Sequence, residues 1–403
     1  LPGALRGHRR GSDPVTNLAE QLRGAGLHVP TEARAHLGLV LPAVADALGA
    51  GRGPHDAAAR KVLGLEPAAR VVVVLVDGLG ARNLAERSGH APFLRRLLAA
   101  DDAGLVCGFP STTTTSLGLF GTGQPGGRTG LVGYAVRNPA TGELGNFVRW
   151  EGVPAPEDWQ HEPSLLAHVA GAGVAVTSIG ALRFAGSGLT RAVLDGGHYV
   201  AVEPLADRVD AALAALRSPG LVYLYWGEVD RVGHQLGARS AEWGAALEET
   251  DAEIARLARS VPAGTELIVT ADHGMVDVDP AARVDLARHE VLARDVEVLG
   301  GEPRAPHVYL RAGVDPVRAR DAWREVLGTA GVVATRAEAV EAGWFGEVAP
   351  HVRPAIGDLV VATTGRATIV DSVGGKPGLL TMVGVHGSLT PVEVELPFLR
   401  VSA

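Results

Sequence analysis

Cysteine is almost missing: Cys107 stands alone in 403 residues, so neither an internal disulfide nor a multi-cysteine zinc site is available. Lysine is nearly as scarce, with only Lys61 and Lys376. Positive charge is in deficit, 37 Lys and Arg against 45 Asp and Glu, and a net charge of −8 excludes the basic surface of a nucleic-acid scaffold. Aromatic residues make up 4% of the chain. No apolar stretch reaches the roughly 18 residues that suggest a membrane span. The opening Leu1-Pro2-Gly3-Ala4-Leu5-Arg6 has neither an apolar signal core nor an initiator methionine. A cytoplasmic protein is therefore expected, a removed upstream segment being the alternative. What is there, 46% hydrophobic and 20% charged residues, describes a globular chain with a substantial core.

The length allows one large domain or two to three ordinary ones. Residues 1–55 read as a helical appendage. Asp13-Pro14 opens a helix through Leu22, a second helical stretch starts at Thr31, and Gly49-Ala50-Gly51-Arg52-Gly53-Pro54 reads as a linker. From there to residue 403 a single larger domain is expected. Short apolar runs at 71–76, 173–178, 221–226 and 266–271 predict strands, and 82–100, 164–172, 204–217 and 240–259 predict helices between them. Strands apolar on both faces, alternating with helices, imply an α/β fold with a central, mostly parallel sheet sandwiched by helices. Residues 137–163 lack periodicity and carry several prolines, which suggests a loop-rich insertion over the ligand site. Residues 275–381 mix helices with shorter strands and return the chain to His386.

Six side chains stand where strands end or helices begin. Asp77 closes the first apolar run, Asp272 and His273 close the fourth, and each pattern continues into glycine. Asp230 and His234 are four apart after the third run, so a helix there turns both toward one point. His386 follows Met382-Val383-Gly384-Val385. In an open α/β sheet, ligands bind beyond the carboxyl ends of the strands. Singly, each residue has an ordinary role as a cap or loop residue. Together, three carboxylates and three imidazoles suit two divalent ions, zinc before manganese. The other eleven histidines, His307 and His351 among them, have no such setting.

Between the first strand and the insertion lies Gly108-Phe109-Pro110-Ser111-Thr112-Thr113-Thr114-Thr115-Ser116. Pro110 with hydroxyls after it predicts a helix start, and a helix N-terminus favours a bound phosphate. A hydroxyl coordinated there by a divalent ion is acidified into a nucleophile. This run resembles that of the alkaline phosphatase superfamily, in its nucleotide pyrophosphatase/phosphodiesterase branch. The likeness includes Asp230-Arg231-Val232-Gly233-His234, Ala271-Asp272-His273-Gly274 and His386-Gly387-Ser388, and covers about residues 70 to 400. It implies an alkaline phosphatase-like catalytic domain with one metal held by Asp230, His234 and His386. The other would be held by Asp77, Asp272 and His273, with Thr113 as its reactive ligand. It further implies a covalent phospho-threonine intermediate, although Thr112, Thr114 and Thr115 blur the choice of threonine by a position.

Two departures bear on the substrate. The branch usually has an aromatic residue after its nucleophile, where Thr114 stands, and an asparagine where Tyr134 stands. A phenol donates one hydrogen bond, so Tyr134 either replaces the amide as a substrate contact or packs in the core. Phe147, Trp150 and Trp159 form either a wall for an apolar leaving group or a small satellite core, the second being favoured.

The expected function is hydrolysis of a small-molecule phosphodiester or pyrophosphate. The alternatives are a phosphomonoesterase or phosphonate hydrolase on the same scaffold, or a metal-stabilised binding protein without catalysis. Sulfatase chemistry is disfavoured because Cys107 lies outside the nucleophile position. Diesters are expected to be preferred because no arginine adjoins the hydroxyl run to meet the extra charge of a monoester. Arg128 is the nearest downstream, and Arg137, Arg149 or Arg183 would have to be brought in by the fold.

Overall fold

The computed structural model describes residues 14–32, 35–100, 104–375 and 378–403. Arg70–Val76 (β1) is a run of valine and leucine after its first residue, and all six of these are buried, as a strand covered on both faces requires. It lies at the middle of a six-stranded sheet with Val176–Gly180 (β2), His198–Ala201 (β3), Gly220–Trp226 (β4), Thr265–Thr270 (β5) and Leu399–Ser402 (β6). The order is β6-β5-β1-β4-β2-β3, parallel throughout except for β6 on the edge. A separate four-stranded sheet is built from Val296–Glu302, Ala305–Leu310, Leu359–Thr363 and Gly331–Thr335, with its own apolar cluster around Trp323 and Leu359.

Near the start, Pro14–Gly24 (α1), Val40–Ala47 (α2) and Pro54–Val62 (α3) are helical, and Asp13 lies outside the described residues. Leu18, Leu22, Leu41 and Val44 from this region belong to the same buried cluster as β1. The helical stretch expected from Thr31 opens with 3-10 turns, Pro30–Glu32 and Leu37–Leu39, and becomes α-helical only at α2. The Gly-rich stretch before Pro54 leads straight into α3, with Pro54 in its first turn.

Proline and glycine account for two further differences. The helix expected over 82–100 is broken into Ala81–Glu86, a 3-10 turn Ser88–His90, and Pro92–Leu98. Pro92 has no N–H for a continuing helix and holds Ala91 out of the helical region, at φ −134° and ψ 68°. β2 starts three residues later than expected, because Gly173, at φ +87°, is still completing the exit from the preceding helix. Residues 137–163 contain part of a hairpin, Ala135–Arg137 with Leu144–Asn146, then irregular chain interrupted by one helical turn, Pro156–Trp159.

Candidate metal centre and active site

β5, β1 and β4 are adjacent and end level with one another, Val76 opposite Trp226 and Leu75 opposite Thr270. Asp77 leaves β1, Asp272 and His273 leave β5, and Gly227 turns β4 into the helix Glu228–Leu236. In that helix Asp230 and His234 are one turn apart, with His234 Nε2 3.4 Å from Asp230 Oδ1. His386 arrives from the short strand Gly384–Val385, its Nε2 3.3 Å from His234 Nε2 and 3.9 Å from Asp230 Oδ1. On the other side, His273 Nε2 is 3.3 Å from Asp77 Oδ1, 3.5 Å from Asp272 Oδ2 and 3.2 Å from Thr113 Oγ1. All six acidic and histidine candidates and Thr113 therefore converge. Asp230 lies between two groups whose donor atoms fall within 4.8 Å of one another, one with His234 and His386, the other with Asp77 and His273.

Each imidazole is oriented by its backbone. Nδ1 of His234 is 2.8 Å from the Gly384 carbonyl, that of His386 is 2.8 Å from the Ser111 carbonyl, and that of His273 is 3.1 Å from the Gly274 carbonyl. A carbonyl only accepts, so Nδ1 carries the proton in each ring and Nε2 presents a lone pair to the site. Two Nε2 lone pairs facing each other at 3.3 Å repel unless a cation lies between them.

The carboxylates make the same demand. Asp77 Oδ1, Asp230 Oδ1 and Asp272 Oδ2 are buried without a hydrogen-bond partner. Their other oxygens are used: Asp77 Oδ2 accepts from the Tyr225 hydroxyl, and Asp272 Oδ1 accepts from the Gly78 and His273 N–H groups at 3.0 Å. Burial, followed by repulsion from Asp77, lifts Asp230 to about 6 and pushes Asp272 well up. Burial opposes a charged His273, but Asp272 and then Asp77 raise it to about 10, a demand for positive charge that a bound cation would meet instead, leaving Nε2 its lone pair. Burial, then His273 and His234, drives His386 well below the usual imidazole range. Three partnerless carboxylate oxygens beside three inward lone pairs fit divalent cations.

Close packing of the strand ends fixes these positions. Gly78 sits at φ +74°, and a Cβ on it would lie 2.9 Å from Asp230 Cβ and 3.0 Å from its Cα. Only glycine lets the β1 exit pass so near the Asp230 helix.

The helix over the hydroxyl run starts later than Pro110, as Thr113–Thr122 (α4), and Thr112 at its N-cap makes no side-chain capping bond. The hydroxyls serve elsewhere. Ser111 Oγ donates to the Ser388 carbonyl at 2.7 Å, Thr114 Oγ1 to Gly133 at 3.2 Å, and Thr115 Oγ1 to Leu131 at 2.7 Å. Thr113 alone among the four threonines is partly exposed, and its hydroxyl meets His273.

The profile of the type I phosphodiesterase / nucleotide pyrophosphatase family matches residues 71–389. The chain belongs to that family. It is a hydrolase of phosphoric ester or pyrophosphate bonds within the alkaline phosphatase superfamily. Among solved structures, murine ectonucleotide pyrophosphatase/phosphodiesterase 5 matches with a TM-score of 0.64 at 17% identity, covering 82% of this chain and 87% of that one. The human counterpart gives a TM-score of 0.61 at 18% identity over 82% and 87%. Phosphonoacetate hydrolase from Sinorhizobium meliloti 1021, in complex with phosphonoformate, gives 0.62 at 22% over 82% and 89%. These likenesses bear out the α/β fold with its central, mostly parallel sheet. No curated protein sequence matches the chain.

Around this cluster lies a cavity of about 580 Å³ lined by Asp77, Thr113, Asp230, His234, His386 and Tyr134, among others. Tyr134 is partly exposed on its wall, and the Tyr134 N–H donates to Glu302 Oε1 at 2.5 Å. Thr114, in the place of the usual aromatic, is buried and does not reach the cavity. Phe147, Trp150 and Trp159 pack on one another at 5.3 and 5.5 Å and stay off the cavity wall, which Val148 of the same segment reaches.

Arg128 is paired with Glu162 and Glu347, and Arg137 with Glu297. Arg183, by contrast, lines the cavity with its guanidinium 4.6 Å over the Phe184 ring. Tyr225 and Glu302 are wall residues that sequence reasoning missed. Tyr225 had a legible signal, since it shares a strand face with Tyr223 two residues before Gly227; Glu302 had none. Among the described residues, no helix is long and apolar enough to cross a membrane.

Proposed function

We propose that the chain hydrolyses a small-molecule phosphodiester or pyrophosphate with two zinc ions and Thr113 as nucleophile. Asp230, His234 and His386 would hold one ion, and Asp77, Asp272 and His273 the other together with Thr113. When bound, the ions acidify the hydroxyl and neutralise the attacking and leaving oxygens of an in-line displacement. Thr113 Oγ1 loses its proton and bonds to phosphorus while the bond to the leaving oxygen breaks. Water then cleaves the phospho-threonine and restores the hydroxyl. The N-terminal N–H groups of α4, which begins at Thr113, would favour the negative charge of the transferred group. The Tyr134 phenol, on the cavity wall, would donate to a non-bridging oxygen.

The observation that carries this reading is the inward Nε2 on each of three imidazoles, set against three partnerless carboxylate oxygens beside the Thr113 hydroxyl. Diesters are favoured over monoesters because Arg128 and Arg137 are paired away and Arg149 stays off the cavity wall; Arg183, which the fold does bring to that wall, is the one of the four that would favour a monoester. Purified protein assayed on bis-p-nitrophenyl phosphate, p-nitrophenyl phosphate and phosphonoacetate, with and without zinc or manganese, tests the proposal. The expected result is metal-dependent diesterase activity with kcat/KM above that for the matched monoester. A monoester preference beyond about tenfold overturns the diester assignment. Absence of turnover on every ester, with both metals bound, favours a binding protein. Elemental analysis should show loss of one ion in Asp77→Ala or Asp272→Ala, and protein that takes up neither zinc nor manganese overturns the metal assignment.

A further inference from the structure

One wall of the cavity takes no part in the chemistry above. Leu117, Ile179, Leu189 and Leu194 make that side apolar, and Ser178 and Tyr223 are set into it. Ser178 and Tyr223 are directly opposite in the parallel pair of β2 and β4, so their side chains leave the same face of the sheet as neighbours. Each residue is 4% exposed, and neither the serine Oγ nor the tyrosine hydroxyl has a hydrogen-bond partner. A buried hydroxyl left unpaired carries a desolvation cost that no contact offsets. The other hydroxyls of this wall avoid that cost: Tyr199 donates to the Ala181 carbonyl at 2.9 Å, Thr190 to the Phe184 carbonyl at 2.8 Å, and Tyr225 to Asp77. Two unpaired hydroxyls side by side in an apolar wall are the arrangement of a ligand site, where a few polar groups fix the orientation of a mostly apolar group.

We infer that this chamber receives the organic group of the ester as a flat, largely apolar ring, and that Ser178 and Tyr223 hydrogen-bond a hydroxyl or carbonyl at the end of the ring remote from phosphorus. The inference rests on the phosphoester reading of the metal centre. About 580 Å³ is enough for a phosphoryl group with a ring system attached. Each hydroxyl both donates and accepts, so the pair serves either a hydroxyl or a carbonyl at the ring tip.

The test uses three phosphonates on the metal-loaded full chain: methylphosphonate, benzylphosphonate and 4-(hydroxymethyl)benzylphosphonate. Dissociation constants are read by calorimetry, independently of turnover. Benzylphosphonate should bind at least about tenfold more tightly than methylphosphonate, and the distal hydroxyl should add about tenfold more. In Ser178→Ala/Tyr223→Phe the second gain should vanish while the first persists. The single variants, each lacking one oxygen atom, give the same comparison if the double variant does not fold. No gain from the distal hydroxyl, or a gain that survives in the variants, overturns the inference while leaving the metal-centre reading intact. If none of the three binds and no ester is hydrolysed, both fall together.

Discussion

Thr113 and its neighbours share a side-chain type and differ in where their oxygens go. The hydroxyls of Thr114 and Thr115 are committed to backbone carbonyls, whereas that of Thr113 faces His273. Thr113→Ala should therefore lower kcat by a factor of about 10³ or more and leave Tm near that of the wild type. Thr115→Val should do the reverse, costing about 1 kcal/mol of stability in urea unfolding with kcat little changed. Equal activity losses in the two variants would refute Thr113 as the nucleophile. Tyr134→Phe isolates the phenol: a tenfold fall in kcat/KM, about 1.4 kcal/mol, is expected if it stabilises the transition state.

At the level of elements, the segment bearing His386 is held from behind by a buried ion pair. Arg304 donates to both Glu393 oxygens at 2.8 and 2.7 Å, both side chains are fully buried, and Glu393 also accepts from the Ser388 N–H at 3.0 Å. Removing one partner strands the other charge, so Arg304→Met should cost about 3–5 kcal/mol in denaturant unfolding. Arg304→Met/Glu393→Gln should regain part of that loss.

The start of α3 gives a pH-dependent case. Burial alone would raise Asp56, but the Arg52 side chain and N–H, at 2.8–2.9 Å, hold it at about 2. A folded pKa below the unfolded value of 3.8 contributes stability in full above pH 3.8 and loses it as pH falls toward 2. The stability difference between wild type and Asp56→Asn should be constant near pH 6 and shrink below pH 4. A difference that does not change with pH would rule out the Arg52 contact as its cause.

For the whole molecule, the candidate ligands come from the ends of β1 and β5, from the start of α4, from the Glu228–Leu236 helix and from the segment after Gly384–Val385, so bound ions would tie five parts of the chain together. A ligand that binds only the folded state, at a hundred times its Kd, stabilises by about 2.7 kcal/mol. Chelation should lower Tm by several degrees while far-ultraviolet circular dichroism keeps its native shape, since the core of β1, β4 and β5 is apolar and independent of the ions. An unchanged Tm on chelation would count against ions at this site.

Local signals in the sequence determined the parallel sheet and its site-bearing strand ends. Runs such as Val71 to Val76 are short, mostly β-branched and apolar at every position, as a strand covered on both faces requires, and an acid after such a run marks the ligand edge. Spacing alone put Asp230 and His234 on one helical face. The tertiary structure decided what depends on distant partners. Which threonine keeps a usable hydroxyl was settled by the carbonyls of Gly133 and Leu131, and the ring orientation of His386 by the carbonyl of Ser111, 275 residues away. Glu302 reaches the cavity from the second sheet, and Ser178 meets Tyr223 only because β2 lies beside β4. Periodicity and capping act over a few residues and so can be read along the chain. Hydrogen-bond satisfaction and cavity shape are set by which strands become neighbours, and they exist only once the sheet is assembled.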